Sequence, residues 1–242
     1  MLKLKKAFTM AEVLVALGVL GVLTAMVLPG IVKNNQKHFS GAILGRAVAQ
    51  IEQGNKNIIQ TANLNNENGN YYEVLGLITR GDILGATANQ VLKIIDFGNF
   101  EQLVMGFWGL EPTEIPVNSV KTIKNFDGTE ISADDTKFIL TNGRRYNFTK
   151  LPASVAICST ALNVGAENIN RLGDIDFDIP HIFIYIDTTG LTKPPNVFGK
   201  DIFLFTLKNN GNLVPWSTVR GDRGGLEHTA DVVRDGFRIT YY

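Results

Sequence analysis

Residues 5–32 read KKAFTMAEVLVALGVLGVLTAMVLPGIV, and this stretch decides the fold. Glu12 is the only charged residue from Phe8 to Val32. A helix over these residues would be roughly 37 Å long at about 1.5 Å per residue, which exceeds the ~30 Å hydrocarbon core of a bilayer. The stretch therefore predicts one membrane-spanning helix. The hydrophobic content of the whole chain, 45%, is too low for a protein with many such helices.

The charges around this helix predict its orientation. Lys3, Lys5 and Lys6 precede it and are expected to stay cytoplasmic, so the rest of the chain lies on the outer side of the membrane. A secretory signal peptide has a shorter apolar stretch and a small-residue cleavage site after it. A plain signal anchor is the other ordinary interpretation. Neither accounts for Glu12, because a carboxylate near the start of a span is unfavourable unless it is paired or lies at the interface.

Residues 5–23, with Ala7, Phe8 and Glu12 ahead of the apolar run, resemble the prepilin signal of type IV pilins and type II secretion pseudopilins. The resemblance implies that a prepilin peptidase cuts after Ala7 and that the new N-terminal residue, Phe8, is N-methylated. Glu12 then becomes the fifth mature residue. Pro29 becomes the twenty-second, where many pilins have a helix-kinking proline. The chain departs from the family at Ala7, since the residue before the cut is usually glycine.

The resemblance implies an α+β fold in which a long N-terminal helix packs on a C-terminal antiparallel sheet. The expected parts are a leader (1–7), the transmembrane and assembly half of the helix (8–32), its amphipathic half (33–62) and a globular head (63–242). The expected partners are other pilin or pseudopilin subunits, prepilin peptidase, the inner-membrane assembly platform and the membrane itself. In the filament, Glu12 is expected to pair with the freed amine of Phe8 on a neighbouring subunit. The protein would thus reside in the inner membrane and then in a pilus or periplasmic pseudopilus.

Apolar spacing predicts the elements of the head. The amphipathic half of the helix is expected to bury Ile31, Val32, Phe39, Ile43, Leu44, Val48, Ile51 and Ile58, and to end before a loop at 63–70. Pro29 and Gly30 are expected to bend or locally melt the helix. Residues 71–110 are compatible with helix, and 111–135 are expected to form a loop. Strands are predicted at 137–141, 144–148, 181–186, 202–207, 212–216 and 237–242, the first two joined by a turn at Asn142-Gly143.

Asp187 and Asp201, with a run at Asp174, Asp176 and Asp178, are the candidate oxygen ligands for a metal. By the family resemblance that metal would be calcium. Because no EF-hand pattern is present, acids in solvated turns are the preferred interpretation, and no cofactor is expected.

The chain carries no motif of a serine hydrolase, a zinc peptidase or a phosphate-binding loop, so no enzymatic activity is expected. Basic and acidic residues number 23 each. Removal of Lys3, Lys5 and Lys6 would leave the mature chain acidic, so nucleic acid is not an expected partner. Two alternatives stay open: a minor pilin or adhesin that binds DNA or a surface ligand, and an uncleaved membrane-anchored protein.

Overall fold

The computed structural model of the protein describes residues 9–61, 105–112, 122–131, 144–158, 182–190, 193–207, 211–216 and 224–241. These residues form a long N-terminal helix, a six-stranded antiparallel sheet and a short C-terminal helix. The elements are α1 Met10–Thr61, β1 Leu110–Pro112, β2 Arg144–Phe148, β3 Ser154–Cys158, β4 Ile182–Asp187, β5 Ile202–Leu207, β6 Leu213–Pro215 and α2 His228–Arg234. The α+β, pilin-like layout expected from the sequence is confirmed.

The second half of α1 packs on the sheet through one apolar face. Its buried apolar residues recur every three or four positions, as an amphipathic helix requires, and are Ile43, Leu44, Ala47, Val48, Ile51 and Ile58. The predicted face is therefore confirmed from Ile43 onward. The prediction is wrong for Ile31, Val32 and Phe39, which stay about half exposed because burial against the head begins only at Ser40. The predicted loop at 63–70 lies outside the described residues.

Helix α1 continues through Pro29 and Gly30 without interruption, so the predicted local melting is wrong. Proline removes one N–H donor and crowds the carbonyl oxygen four residues earlier. That loss is confined to one turn, and the flanking residues are good helix formers such as Leu28 and Met26. The bend at Pro29 stays a prediction.

The six strands follow one another across the sheet in chain order, each antiparallel to the last. The face towards α1 carries two rows of aligned apolar residues, Ile157-Ile184-Phe205 and Val155-Ile186-Phe203. Both rows belong to one apolar cluster with the buried face of α1. On the opposite face Tyr185 and Leu204 are also buried. The central strands are therefore apolar on both faces, which explains their continuous apolar sequence.

The strand predictions are confirmed for β2 and β5 at their bounds, for β4 within one residue, and for β6 inside 212–216. Strands β1 and β3 were not predicted. The loop expected from residue 111 is wrong for the two residues that end β1, where Pro112 is accommodated at the edge of the described sheet. The predicted strand at 137–141 lies outside the described residues. In the described part of the chain, β2 pairs with β1 and β3.

The predicted last strand at 237–242 is wrong for residues 237–241, and Tyr242 lies outside the described residues. Helix α2, which the sequence patterns did not predict, comes before it, and Phe237 has a φ of 62°, outside the range of a β-strand. Phe237 N donates to Val232 O at 2.7 Å and so closes the end of α2. The backbone carbonyl of Phe237 then packs against α1 at Gly41. This segment secures α1 to the head instead of extending the sheet.

Glycines allow α1 to approach the head closely. A Cβ atom on Gly41 or Gly45 would press on Phe237. A Cβ atom on Gly54 would lie 2.5 Å from Cδ1 of Trp108. At Gly41 and Gly54 a side chain would force a neighbouring atom to move, so these two glycines permit the short distance between helix and head, and at Gly45 the contact would be tight.

A buried asparagine fixes the C-terminal part of α1. Trp108 Nε1 donates to Asn55 Oδ1 at 2.8 Å, and Asn55 Nδ2 donates to the carbonyl oxygen of Gly211 at 2.7 Å. Asn55 thereby joins α1 to the turn before β1 and to the turn before β6. Trp108 is fully buried and belongs to the apolar core.

Gly54→Ala is expected to lower the free energy of unfolding. Overpacking costs about 1–3 kcal/mol, of which the better helix propensity of alanine offsets about 1 kcal/mol. The new Cβ atom would also lie 2.6 Å from the backbone oxygen of Phe107, which cannot rotate away. Thermal unfolding of the full chain in detergent, followed by near-ultraviolet circular dichroism, measures the change. Gly30→Ala is the matched control, because nothing lies within 4 Å of its new methyl group. Equal stability of the two variants would contradict the prediction.

Candidate functional site

The first half of α1 is not covered by the described part of the head. Every residue from Thr9 to Gln36 is exposed, and the large apolar side chains of this stretch range from Met10, 82% exposed, to Val13, 47% exposed. Burying one such side chain fully gains about 1.5–3 kcal/mol, so this surface requires an apolar environment. Within the described residues, α1 is the one helix long and apolar enough to cross a membrane. Its apolar part, Met10 to Val32, is about 35 Å long.

Thr9 and Glu12 form a reciprocal cap at the start of α1. Thr9 donates from its backbone N and from Oγ1 to Glu12 Oε2, both at 2.9 Å, and Glu12 N donates to Thr9 Oγ1 at 3.2 Å. This arrangement is a capping box, which satisfies N–H groups that a helix start leaves without partners. The signal for it, Thr-x-x-Glu before an apolar run, was in the sequence but was missed. In the part of the chain that the structure describes, no hydrogen bond reaches Glu12 Oε1.

The predicted processing residues are described only in part. Ala7 and Phe8 lie outside the described residues, so cleavage and N-methylation stay predictions. Glu12 and Pro29 are separated by about 25 Å along α1 at ~1.5 Å per residue. They therefore do not form one site, and they mark the two ends of the exposed apolar surface.

The loop between β4 and β5 brings Asp187 and Asp201 together, although they are far apart in sequence. Asp187 Oδ1 accepts from Thr189 N at 2.9 Å, and Thr189 Oγ1 lies 3.2 Å from that oxygen and 3.1 Å from Asp201 Oδ2. Asp201 also accepts from Val197 N at 2.6 Å and from Asn196 N at 2.7 Å. The two carboxyl groups therefore hold the loop in shape through its own N–H groups.

Both carboxyl groups are buried, Asp187 with 3% of its surface exposed and Asp201 with 1%. The interpretation as solvated turn acids is wrong for them, because the loop folds back over its own side chains. Burial, together with the nearby charge of Asp201, raises the pKa of Asp187 to about 7. Burial likewise raises the pKa of Asp201 to about 6, against the hydrogen bonds from Val197 and Asn196.

The calcium interpretation stays a prediction. Calcium takes about 6–8 oxygen ligands, whereas three of the four oxygens of Asp187 and Asp201 already accept hydrogen bonds. Of these four oxygens, only Asp187 Oδ2 is buried without a partner among the described residues. In the same part of the chain, no group of three or more histidine, cysteine, aspartate or glutamate side chains could hold a metal. Asp174, Asp176 and Asp178 lie outside the described residues.

The described structure defines an α+β protein with an N-terminal helix that is able to span a membrane. No family model matches the chain, no curated protein matches it, and no solved structure matches it.

Stability of the head is expected to fall as the pH rises from 5 to 8. Unfolded aspartates ionise near pH 4, so a raised folded pKa means that the folded chain binds more protons between about pH 4 and 7. The resulting stabilisation is complete below about pH 4 and is lost as the pH rises towards 7. Urea unfolding of the full chain in detergent at pH 5 and pH 8 measures the difference, which Asp187→Asn should reduce.

Asp127→Asn provides the control for this pH dependence. Hydrogen bonds from Thr129 hold the pKa of Asp127 below its usual range, so this group is ionised in both folded and unfolded chains from pH 5 to 8. The variant should keep the difference between pH 5 and pH 8. A difference that survives Asp187→Asn unchanged would assign the pH dependence to other groups.

Proposed function

We propose that this protein is a structural subunit of a type IV pilus or a pilus-like secretion filament. The observation that carries the proposal is the continuity of α1, whose first half is apolar and exposed on all sides while its second half is buried on the sheet. A soluble monomer would gain nothing from such a helix. A subunit that moves from a bilayer into the apolar interior of a filament needs an exposed apolar helix in the bilayer and again in the filament.

In this proposal the exposed half of α1 first spans the inner membrane and then packs against the same half of other subunits. A methyl group added at Gly18 or Gly21 would meet nothing within 4 Å, so these glycines leave room for another helix to approach closely. The head stays outside the membrane and forms the surface of the filament. Prepilin peptidase would cut after Ala7, and the inner-membrane assembly platform would extract the processed chain.

The capping box gives Glu12 two tasks in this assembly. Thr9 engages Oε2 and so orients the carboxylate at the start of α1. Oε1 is then available to the amine of Phe8 on the next subunit. An unpaired carboxylate among packed apolar helices is costly, so this pairing would favour one axial register between subunits.

Processing is expected to remove residues 1–7. Mass spectrometry of the N-terminal peptide from the native producing cell should then find Phe8 as the first residue, with one added methyl group. The physical reason for cleavage is the freed amine, which supplies a positive charge for Glu12, whose carboxylate is bound only by the uncharged Thr9 among the described residues. An intact Met1 on membrane-embedded protein would contradict processing and favour a plain membrane anchor.

Glu12→Gln and Glu12→Ala separate the charge of Glu12 from its capping role. Glutamine can still return a hydrogen bond in a capping box, but it has no charge, whereas alanine loses both. If charge pairing drives assembly, both variants should insert in the membrane and both should be lost from sheared filaments by at least about tenfold, as a loss of more than 1.4 kcal/mol implies. Immunoblots of membrane and filament fractions measure the two steps.

Thr9→Ser is the control for this experiment, since serine also caps helices through its hydroxyl group. It should assemble like the original chain. Normal incorporation of Glu12→Gln would contradict charge pairing and leave helix capping as the role of Glu12.

A further inference from the structure

A cavity of about 350 Å³ lies between α1 and the loop that joins β4 to β5. Lys33 and Lys200 both line it, Ser40 and Thr189 contribute hydroxyl groups, and Phe39 and Pro195 contribute apolar walls. Among the described residues, no carboxylate lines it. The acids of the adjoining loop, Asp187 and Asp201, are buried behind Thr189, and burial raises the pKa of each above its ordinary value.

The chemistry of these walls matches a phosphate ester. Two ammonium groups complement the negative charge of a phosphate, and the hydroxyl group of Ser40 can donate to one of its oxygens. Lys200 Nζ lies 4.8 Å from the ring centre of Phe126, which belongs to the segment 122–131 and is not part of the cavity lining. The apolar walls suit the carbon atoms next to such an ester. The cavity therefore has a polar part that matches a lipid phosphate and an apolar part that matches the glycerol.

The position of the cavity along α1 coincides with the headgroup layer of a bilayer. Lys33 directly follows Val32, the last residue of the apolar stretch. The helix residues that line the cavity, from Lys33 to Ser40, extend about 10 Å beyond that end at ~1.5 Å per residue. A headgroup layer is about 5–8 Å thick on each side of the hydrocarbon core. The phosphates of the lipid headgroups would therefore lie at the same depth along the membrane normal as the cavity.

We propose that this cavity binds the phosphate headgroup of an anionic glycerophospholipid of the outer leaflet. The proposal rests on the proposed function, since it requires the first half of α1 to span a membrane. Lys33 and Lys200 bind the phosphate, Ser40 donates a hydrogen bond to it, and Phe39 contacts the glycerol. A zwitterionic lipid fits less well because its own ammonium group opposes the two lysines. The bound lipid holds the head at a fixed height and orientation on the membrane before the subunit enters a filament.

The full chain in a non-ionic detergent, titrated with dioleoyl phosphatidylglycerol or dioleoyl phosphatidylcholine, tests this site by native mass spectrometry. The original chain should retain one phosphatidylglycerol with about tenfold preference over phosphatidylcholine. Lys33→Gln with Lys200→Gln should abolish the preference, and Lys33→Gln alone, at an exposed position, should reduce it. Lys56→Gln with Lys150→Gln removes the same charge from exposed positions outside the cavity and should keep it. Thermal unfolding of each variant verifies that it is folded.

Absence of a preference in the original chain overturns the proposal, as does a preference that survives Lys33→Gln with Lys200→Gln. Inorganic phosphate that binds the cavity as tightly as the lipid overturns the assignment to a headgroup. A dimer that the same double variant dissociates, with lipid retention unchanged, overturns it in favour of a second copy of this chain as the occupant. The proposed function fails separately, through an unprocessed N-terminus or through Glu12→Gln subunits in filaments, and neither result depends on which lipid is retained.

Discussion

The burial of one face of α1 on the sheet is the interaction on which the rest of the structure depends. From Ser40 to Ile58 the helix supplies one side of the apolar core, and the aligned residues of β2 to β5 supply the other. Since α1 is one continuous helix, this packing also fixes the direction in which its exposed half leaves the head. Glycines at Gly41, Gly45 and Gly54 bring the helix close enough for that direction to be well defined. The packing of the second half of α1 on the head therefore determines the orientation of its apolar first half.

The two halves of α1 follow different physical rules. In the second half, apolar residues occupy one face and polar residues the other, which is typical of a helix between a core and water. In the first half apolar residues occupy every face, which is typical of a helix surrounded by lipid or by other helices. The change falls between Val32 and Ser40, and the lysine-lined cavity lies in the same interval. The proposed lipid site therefore lies where the surroundings of α1 would change from apolar to aqueous.

Much of the fold could be predicted because its signals are local. The apolar stretch, the periodicity from Ile43 to Ile58, and the strands β2, β4, β5 and β6 each follow from residues adjacent in sequence. Strand β3 was missed because it is short and apolar after Ser154, a pattern that does not identify a strand by itself. The C-terminal segment was assigned to a strand because Phe237 to Tyr242 are rich in β-formers. Its real conformation depends on the left-handed backbone at Phe237 and on the packing of that residue against α1.

The sequence by itself determined that residues 8–32 are one apolar helical stretch, that Glu12 is the one acidic residue in it, and that a sheet follows. These are consequences of composition and spacing over short distances. Only the tertiary structure decided that Asp187 and Asp201 share a buried loop and that Lys33 and Lys200 line one cavity. Both depend on the return of β5 beside β4 and on the packing of α1 against the loop between them. Side chains distant in sequence acquire a common chemistry only when burial of the apolar core has placed their backbones side by side.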